Sequence, residues 1–391
     1  MENFIYLCPI IGCLFVLLFF REKFAVWEYF IIIVITALIT LISISIVKYG
    51  KCNDIEYRGY YIKNIKYYES WNEWVHRRCT RTIHTGKTTR TETYDCSYCR
   101  NHPEEWVMTD NEKNEYPISK DDYNRLAEIW GTKRIFVDMK RNYHTKDGDM
   151  YMYNWNNNRN SIITVTKSNH YKNKVLGSKS VFKFDNITLD EAKEYGLFDY
   201  PKIDKQKLPG PQYKFTPNTF QDALIGISCD SLSKKLNYIN AYYGSSKFIR
   251  TYILIYKNKD RDIAFKQQSY WAGGNFNECI ICIGTDDDYN IKWAEAFSWE
   301  DVPYLSVKSE QYLNGKNNLT DLGEFLNYYE KLLNEKDIWI CKDAEDFKYL
   351  KTDLDTDEIV VILIITILSM FCVFLWGYYN EFERIIKKEK H

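Results

Sequence analysis

Cysteine and histidine residues at metal-ligand spacing are the first feature of this 391-residue chain whose residue types could do chemistry. Cys96 and Cys99 form a Cys-x-x-Cys pair, and His102 follows three residues after the second cysteine. A structural zinc ion takes four Cys or His ligands, so Cys79 or His84 would have to complete the set. The spacing alone therefore supplies half of a zinc site.

A disulfide between Cys79 and Cys96 is the competing interpretation. The segments Trp71–Arg81 and Thr88–Tyr98 flank a turn around Gly86 and predict a β-hairpin. Opposed residues of an antiparallel hairpin have a constant sum of residue numbers, and opposing the two cysteines would centre the turn next to this glycine. We therefore predict a cross-strand disulfide here, with zinc as the alternative.

The second Cys-x-x-Cys pair, Cys279 and Cys282, lies within Cys279–Gly284, an apolar stretch that predicts a buried strand. Residues i and i+3 of a strand point to opposite faces of the sheet, so these two thiols would not converge on one ion. A redox-active pair prefers a strand-to-helix turn that lowers the thiol pKa, and neither pair has a clear setting of that kind. We expect disulfides or free thiols rather than zinc.

Three consecutive acidic residues, Asp286, Asp287 and Asp288, follow this strand, where α/β sheets often bind ligands. Such a loop could hold a hard cation such as calcium, and it would then be the centre of a metal-dependent, phosphatase-like hydrolase. The alternative is a solvated turn, because the EF-hand spacing and its glycine are missing. No G-x-S-x-G, H-E-x-x-H or Ser/His/Asp set occurs, so no catalytic residue and no bound cofactor are predicted.

The whole-chain composition resembles that of a soluble protein, with 27% charged residues, a net charge of −1 and a mean hydropathy of −0.44. The lack of a gross positive excess argues against nucleic acid as a partner. An aromatic content of 17% is enough to fill a core, which excludes a mostly disordered chain. The average hides an uneven distribution of the apolar residues.

Three apolar segments predict transmembrane helices: Phe4–Phe20, Tyr29–Val47 and Ile359–Gly377. A helix needs about 20 apolar residues to cross a hydrocarbon core of roughly 30 Å, and the last two segments satisfy this without a charge. The first segment is shorter, and its alternative is a cleaved signal peptide. Basic residues follow that segment instead of preceding it, so we predict a membrane helix and a lipid bilayer as partner.

Basic residues near these segments predict the orientation. The tail after the last segment carries four of them, Arg384, Lys387, Lys388 and Lys390. Lysine and arginine near the ends of spans favour the cytoplasmic side, so we place the tail 378–391 and the turn 21–28 in the cytoplasm. Residues 48–358 are then extracytoplasmic. The eight cysteines of this segment are an even number, as disulfides in an oxidising compartment would produce.

The projecting segment is too long for one ordinary domain, and a Pro/Gly-rich seam at 208–217 is the best boundary. Before it short strands dominate, which predicts a β-rich domain over 48–207. After it helices and buried strands alternate, which predicts a small α/β sandwich over 217–350. The predicted fold class is therefore α+β, with a two-helix transmembrane hairpin at 1–47, a third span at 359–377 and the two domains between them.

Capping residues and periodicity predict several helices. Ser119–Trp130 begins with an N-cap serine, and Thr188–Glu191 is a capping box for a short helix that ends at Gly196. A helix over Ser231–Tyr243 is expected to end at Gly244. One further helix is predicted from six apolar residues at helical spacing, namely Leu322, Phe325, Leu326, Tyr329, Leu332 and Leu333.

The segment Gln267–Asn275 (QQSYWAGGN), running into Cys279–Gly284, is similar to the helix, tryptophan, Gly-rich turn and buried strand of bacterial TPM domains. These are membrane-anchored extracytoplasmic α/β domains, and the resemblance covers Phe248–Ser298. It implies links to protein assembly and quality control, or to phosphatase activity, although the chain lacks a matching catalytic set. The hairpin sequence (YYESWNEWVHRRCT and TYDCSYC) resembles uncharacterised membrane proteins of bacterial viruses.

Two functions of different classes are therefore expected. The first is an integral membrane protein, for example one that a virus encodes to modify an envelope, whose extracytoplasmic body binds another protein. The second is the membrane-tethered hydrolase of the Asp286–Asp288 loop, with calcium or zinc. A pore or transporter is disfavoured, because the spans hold no charge beyond Glu28 at one edge. Four aromatic residues fit either a binding face or a core: Tyr67, Tyr68, Trp71 and Trp74.

Overall fold

The computed structural model describes residues 2–20, 26–86, 88–130, 135–137, 150–154, 164–178, 184–201, 213–216, 223–342 and 344–380. The chain divides into two compact units. The helical unit comprises Met1–Ile55, His170–Phe184 and Asp343–His391, and the body comprises Glu56–Asn169 and Asp185–Lys342. Most of the predicted seam, tail and first turn lies outside the described residues, so those three predictions stay predictions.

The helices of the described residues fall in both units. They are α1 (Glu2–Phe20), α2 (Val26–Cys52), α3 (Lys120–Trp130), α4 (Lys174–Gly177), α5 (Leu189–Tyr195), α6 (Asp230–Ser246), α7 (Asp262–Tyr270), α8 (Tyr304–Asn314), α9 (Leu322–Asn334) and α10 (Thr356–Asn380).

The strands form two larger sheets and two short ladders. They are β1 (Asn53–Tyr68), β2 (Trp71–Val75), β3 (Arg78–Thr85), β4 (Thr88–Asp95), β5 (Tyr98–His102), β6 (Glu105–Asp110), β7 (Glu115–Pro117), β8 (Ile135–Val137), β9 (Met150–Asn154), β10 (Thr164–Lys172), β11 (Tyr213–Thr216), β12 (Leu224–Ile225), β13 (Arg250–Lys257), β14 (Glu278–Thr285) and β15 (Ile291–Ser298).

Two helices of the described residues, not three, are long and apolar enough to cross a membrane. They are α2, over Glu28–Cys52, and α10, over Thr356–Gly377. The predicted third span at Phe4–Phe20 does form the helix α1, but its apolar helical stretch is short, Ile5–Phe15. The prediction of three spans is therefore corrected to two by length and composition.

The three long helices pack side by side within the helical unit. Ile5 of α1 packs in a cluster with Ile44 near the C-terminal end of α2. Cys13 of α1 packs with Ile32 near the N-terminal end of α2, and Met370 of α10 joins that second cluster. Helix α2 therefore runs antiparallel to α1, and α1 accompanies the two longer apolar helices even though its own apolar stretch is shorter.

Polar contacts join α2 to α10 at two levels. In the middle, the buried hydroxyls of Thr40 and Thr366 are 3.0 Å apart. At the end of α2, Lys51 Nζ lies 2.7 Å from Asp355 Oδ2 and 3.0 Å from Glu358 Oε2. The C-terminal end of α2 and the N-terminal end of α10 therefore meet, although they are 304 residues apart in the chain.

The long strand β1 is central to a seven-stranded sheet. The order is β11-β10-β1-β6-β7, with β9 also paired to β1 and β8 to β9. Helix α3 covers part of this sheet with Leu126, which packs with Ile62, Ile65 and Met108. The hydroxyl of Ser119 accepts from the backbone N–H of Asp122 at 3.1 Å, so the predicted N-cap is confirmed. This strand-dominated part agrees with the predicted β-rich domain.

A four-stranded sheet in the order β12-β13-β14-β15 forms the second core. The first three strands are parallel and β15 is antiparallel. On one face Tyr329 of α9 lies 2.9 Å from the hydroxyl of Thr251 in β13, and on the other Tyr256 of β13 donates to Gln267 of α7. Helices on both faces explain why β13 and β14 are buried along almost their whole length, as the alternating pattern predicted.

Helix α6 continues past Gly244, where its end was predicted. A side-chain carbon on Gly244 would overlap the backbone carbonyl oxygen of Gly59 in β1. The glycine therefore permits a close approach of two backbones within the body, rather than a left-handed helix end. The sequence indicated that Gly244 has a structural role, but the predicted role, ending the helix, is wrong.

Two other helix predictions are confirmed in detail. Thr188 and Glu191 form the reciprocal capping box of α5, and Gly196 ends that helix with a φ of 76°. The six apolar residues predicted to share one side of α9 are all buried in the core of the body. Local capping chemistry and a 3.6-residue period were sufficient at both places.

Candidate functional site

An exposed β-hairpin of the body, residues 71–102 (hereafter the hairpin), carries the residues of the predicted disulfide and of its zinc alternative, together with Trp71 and Trp74 of the aromatic cluster. Strand β2 pairs with β5 and β3 pairs with β4, and neither ladder has a third strand among the described residues. One register holds across both ladders, since the residue numbers of each pair sum to 173: Trp71 lies opposite His102 and Arg78 opposite Asp95. The predicted hairpin is confirmed and extends four residues beyond Tyr98.

The predicted disulfide between Cys79 and Cys96 is present, with a Cα–Cα distance of 5.8 Å. The register used to predict it is wrong by two residues, because Tyr94 lies opposite Cys79. Cys96 lies just beyond β4, where its N–H donates to the carbonyl of Arg77 at 2.9 Å. Side-chain direction repeats every two residues, so the two-residue shift keeps both cysteines on one face and the bond runs diagonally.

The other residues of the predicted zinc set are held apart. Cys99 is an exposed free thiol opposite Trp74. His102 Nε2 lies 2.8 Å from Glu73 Oε2, and its ring stacks on Trp71 at 4.2 Å between centroids. With two proposed ligands joined in the disulfide, the zinc interpretation loses its basis. In the part of the chain that the structure describes, no three His, Cys, Asp or Glu side chains gather to hold a metal ion.

The predicted aromatic cluster is divided between core and surface. Tyr67, at the end of β1, stacks on Trp106 at 5.6 Å and so belongs to the packed sheet. Trp74 of the hairpin is 55% exposed, and the hairpin also exposes Tyr94 and Tyr98 by 44% and 46%. The core interpretation therefore holds for Tyr67, and the binding-face interpretation stays a prediction for the exposed Trp74 on the hairpin.

Charge on the hairpin is unbalanced. Its three acidic residues are engaged within it: Glu73 with the histidine described above, Glu92 with the guanidinium of Arg81 at 3.0 Å, and Asp95 with Ser97. Hydrogen bonds from Ser97 lower the pKa of Asp95, which keeps that carboxylate ionised. Four arginines have no salt bridge among the described residues, namely Arg77, Arg78, Arg90 and Arg100.

The acidic loop after β14 is a hydrogen-bonded turn. Asp286 Oδ1 accepts from the backbone N–H groups of Asp288 at 3.0 Å and Asn290 at 2.8 Å. Its Oδ2 accepts from the side chains of Asn290 and Lys292, both at 2.9 Å. The hydrogen bonds from Asn290, together with Lys292, hold the pKa of Asp286 well below its usual range. This carboxylate therefore shapes the turn.

The carboxylate of Asp287 has different hydrogen-bond and ion-pair partners from that of Asp286. Its Oδ1 accepts from Asn258 Nδ2 at 2.9 Å and from Lys257 Nζ at 3.2 Å, and these contacts lower its pKa. Two of the three predicted metal ligands thus already have cationic neighbours inside the body. The geometry favours the solvated turn, and it gives the predicted calcium site no support.

The second Cys-x-x-Cys pair is buried in β14. Cys279 and Cys282 are free, fully buried thiols that lie on opposite faces of the strand, as predicted. Burial raises the pKa of Cys279 to about 12 and that of Cys282 further, so neither supplies a thiolate near neutral pH. These cysteines act as small apolar core residues.

A buried polar cluster at the start of β13 and β14 had no signal in the sequence. Arg250 and Glu278 lie side by side in register and are almost wholly buried. The Arg250 guanidinium donates to the Tyr252 hydroxyl at 2.6 Å, and Tyr200 donates to Glu278. The backbone N–H of Asn275 donates to Glu278 Oε2 at 2.8 Å. The cluster therefore joins the first residues of the two inner strands of this sheet.

A second buried carboxyl group lies after β15. Glu300 Oε1 accepts from the hydroxyl of Ser306 at 2.5 Å and from its backbone N–H at 3.2 Å. Its Oε2 is buried without a hydrogen-bond partner among the described residues. Burial raises the pKa of Glu300, since the charged form loses its hydration. The pair resembles an activated serine in composition, but Ser306 is only 5% exposed.

No protein-family model, curated protein or solved structure matches the chain. The resemblance of residues 248–298 to TPM domains, and that of the hairpin to viral membrane proteins, therefore stay expectations. Among the described residues, the hairpin brings together exposed aromatic side chains, exposed arginines and an exposed free thiol.

Proposed function

We propose that this protein is a multi-pass membrane protein whose body lies outside the cytoplasm and binds another protein through the hairpin. The observation that carries the proposal is an exposed, disulfide-closed hairpin in a chain that also has two long apolar helices. Disulfides persist in oxidising compartments, and an apolar helix of this length matches a bilayer.

The membrane part of the proposal is supported by the exposure of α2 and α10. Only 22% and 17% of their most apolar windows are buried, which differs from the core helix of a soluble protein. Apolar side chains remain exposed along both helices, for example Ile46 and Phe371 at 65% and 55%. Such a continuous apolar surface is unfavourable in contact with water, whereas contact with lipid tails would stabilise it.

The ion pairs of Lys51 support a body on one side of the membrane. The chain leaves α2 and enters α10 at the same end, because Lys51 binds both Asp355 and Glu358 there. If both helices cross a membrane, the whole segment between α2 and α10 then lies on one side of it. The basic tail after α10 favours the cytoplasm for the other side.

The hairpin has the composition of a protein-binding element. Trp74, Tyr94 and Tyr98 give it exposed aromatic area, and aromatic and arginine side chains dominate the energetics of most interfaces. The disulfide limits the conformations of a ribbon that would be marginally stable alone, so less entropy is lost on binding.

Thiol labelling tests the orientation. Cys99 is exposed, and a membrane-impermeant maleimide added to intact cells should label it without permeabilisation. The Cys99→Ser variant should lose most of this labelling, and an Arg384→Cys variant should react at the new site only after permeabilisation. Labelling of Cys99 only in permeabilised cells would overturn the orientation.

Site-specific crosslinking tests the binding function. A photo-crosslinking amino acid in place of Trp74 should give one discrete adduct in native membranes, identified by mass spectrometry. The same amino acid at Phe265, an equally exposed aromatic position in α7, is the control. Adducts from both positions, or from neither, would argue against the hairpin as the binding element.

A further inference from the structure

We propose that the open edge of β3 binds an extended, acidic segment of the partner protein as an additional β-strand. This inference rests on the proposed function and names the kind of partner the hairpin takes. Its basis is the outer edge of β3, which pairs with no other described strand, together with the two arginines and the absence of acidic residues on that strand.

The backbone direction along β3 follows from one hydrogen bond. In an antiparallel pair, successive residues turn their N–H and C=O groups alternately toward the partner strand and away from it. Arg77 accepts from Cys96 across the hairpin, so odd-numbered positions face β4. The even-numbered positions present outward backbone groups; they are Arg78, Thr80, Thr82 and His84.

No strand of the described part of the chain pairs with this edge. Thr80 and Thr82 are exposed, and β3 pairs with β4 alone among the described strands. The strand has eight residues, which exceeds the five or six that a typical strand uses. An incoming strand would turn a two-stranded ribbon into a three-stranded sheet, the smallest arrangement that is usually stable on its own.

The charges of the two hairpin edges differ. The stretch from His76 to Lys87 (HRRCTRTIHTGK) contains no acidic residue, whereas β4 carries Glu92 and Asp95. Arg78 and Arg81 are exposed on β3, and of the two only Arg81 forms a salt bridge among the described residues, with Glu92. Opposite charges on neighbouring strands attract and like charges repel, so an acidic strand fits the β3 edge better than the β4 edge.

Arginine on an edge strand has a competing role, which is to keep other strands away. An anionic lipid surface would also be attracted by charge alone, without using the backbone groups. The two threonines Thr82 and Thr91 separate these cases, because they lie opposite each other and each has its backbone groups on the outer edge of its own strand. Replacing either by proline removes one outward N–H group and leaves the β3–β4 hydrogen bonds in place.

The probe is a fluorescein-labelled peptide of four Thr-Glu repeats, titrated with the full-length protein in detergent and followed by fluorescence anisotropy. We expect saturable binding of this peptide and no binding of the Thr-Lys counterpart. Thr82→Pro should weaken binding about tenfold or more, the loss expected when a strand-pairing contact is removed. Thr91→Pro should leave the affinity within about twofold.

Arg78→Ser and Arg90→Ser form a second matched pair that avoids proline. Loss of affinity in the first variant and not in the second supports the β3 edge. Retention of the disulfide, checked by thiol titration, and an unchanged circular dichroism spectrum show that each variant is folded. Equal loss in Thr82→Pro and Thr91→Pro would overturn the assignment to one edge.

The outcomes distinguish this inference from the proposed function. A contrary result would be that the protein binds phosphatidylglycerol vesicles as tightly as the peptide, with an affinity that Thr82→Pro does not change. That result would show attraction by charge alone and overturn the inference. A Trp74 adduct in cells without binding of the acidic peptide would leave the proposed function standing and refute the inference. Labelling of Cys99 only in permeabilised cells would refute the orientation, while the peptide measurement would still decide the inference.

Discussion

The hairpin and the four-stranded sheet β12–β15 are both parts of the body, and they use similar residues in opposite ways. In the sheet, Arg250, Glu278 and Cys279 are buried, and Arg250 and Glu278 form hydrogen bonds with neighbouring buried groups. In the hairpin, Arg78 and Cys99 are exposed and have no salt bridge or disulfide with any residue that the structure describes. Reactive residue types thus indicate a binding surface only where the fold leaves them in contact with solvent.

The same comparison explains which part of the body provides stability. Strands β13 and β14 are covered on both faces, so their apolar side chains contribute the full free energy of burial. The hairpin buries few side chains, and a disulfide replaces the missing core. We expect substitutions in the two regions to differ accordingly, and the largest difference should come from identical changes.

Ile281→Ala in β14 and Ile83→Ala in β3 compare the regions directly. Ile281 is fully buried, so its loss should lower the free energy of unfolding by about 2–5 kcal/mol. Ile83 is 37% exposed on the hairpin, and its loss should cost about 0.5 kcal/mol or less. Denaturant unfolding in detergent, followed by tryptophan fluorescence, measures both. Equal losses would mean that the hairpin belongs to the main core.

Cys96→Ser should open the hairpin and leave the core intact. Closing a loop of this length stabilises it by roughly 3 kcal/mol, because the crosslink removes open conformations. We expect hydrogen exchange of the β3 and β4 amides to rise by about a hundredfold, with the exchange of β14 unchanged. Cys99→Ser is the control, since that thiol is free. Faster exchange in β14 would show that the hairpin supports the core.

The sequence predicts local features of both regions and misses their packing. The capping box of α5, the stripe of α9 and the Cys79–Cys96 bond depend on residues close in sequence, so they could be read directly. The end of α6 could not be predicted in this way, because Gly244 is in close contact with Gly59, which is distant in the chain. Hydropathy located the two helices that are long and apolar enough to cross a membrane, and it overestimated α1, whose apolar stretch is too short.

The candidate site was predicted in the same partial way. Periodicity located the hairpin and its cysteines, but the choice between disulfide and zinc needed the positions of Cys99 and His102. The difference between the two hairpin edges depends on the register, which the sequence placed two residues away. The Arg250–Glu278 cluster has no sequence signal, because charged residues at strand ends usually face solvent.

Glu300→Gln should change how stability depends on pH, with an effect below that of the two preceding variants. Burial raises the pKa of Glu300 in the folded protein, so its contribution to stability is present at low pH and lost as pH rises through that value. Glutamine stays neutral and still accepts from Ser306. The variant should therefore be more stable than the wild type at pH 8. The difference in stability should shrink as the pH falls toward about 4.3, the usual pKa of a glutamate side chain.

Thermal unfolding of both proteins between pH 5 and 8 measures this difference. Glu194→Gln is the matched control, because Glu194 is exposed in α5 and should leave the profile unchanged. A Glu300→Gln variant that loses stability equally at every pH would show that the carboxyl group is needed for its hydrogen bonds alone.

The smallest effect is expected from metal ions at Asp286–Asp288, and it decides between the two functional classes. A cation at 100 times its dissociation constant would stabilise the body by about 2.7 kcal/mol, which a melting curve detects easily. Asp286 and Asp287 already bind Lys292 and Lys257, so we expect millimolar calcium or zinc, against a chelator, to shift the midpoint by less than about 1 °C. A calcium-dependent shift that disappears when all three aspartates are changed to asparagine would restore the hydrolase hypothesis. It would also remove the contrast between the two regions, because the loop after β14 would then bind a ligand as the hairpin is proposed to do.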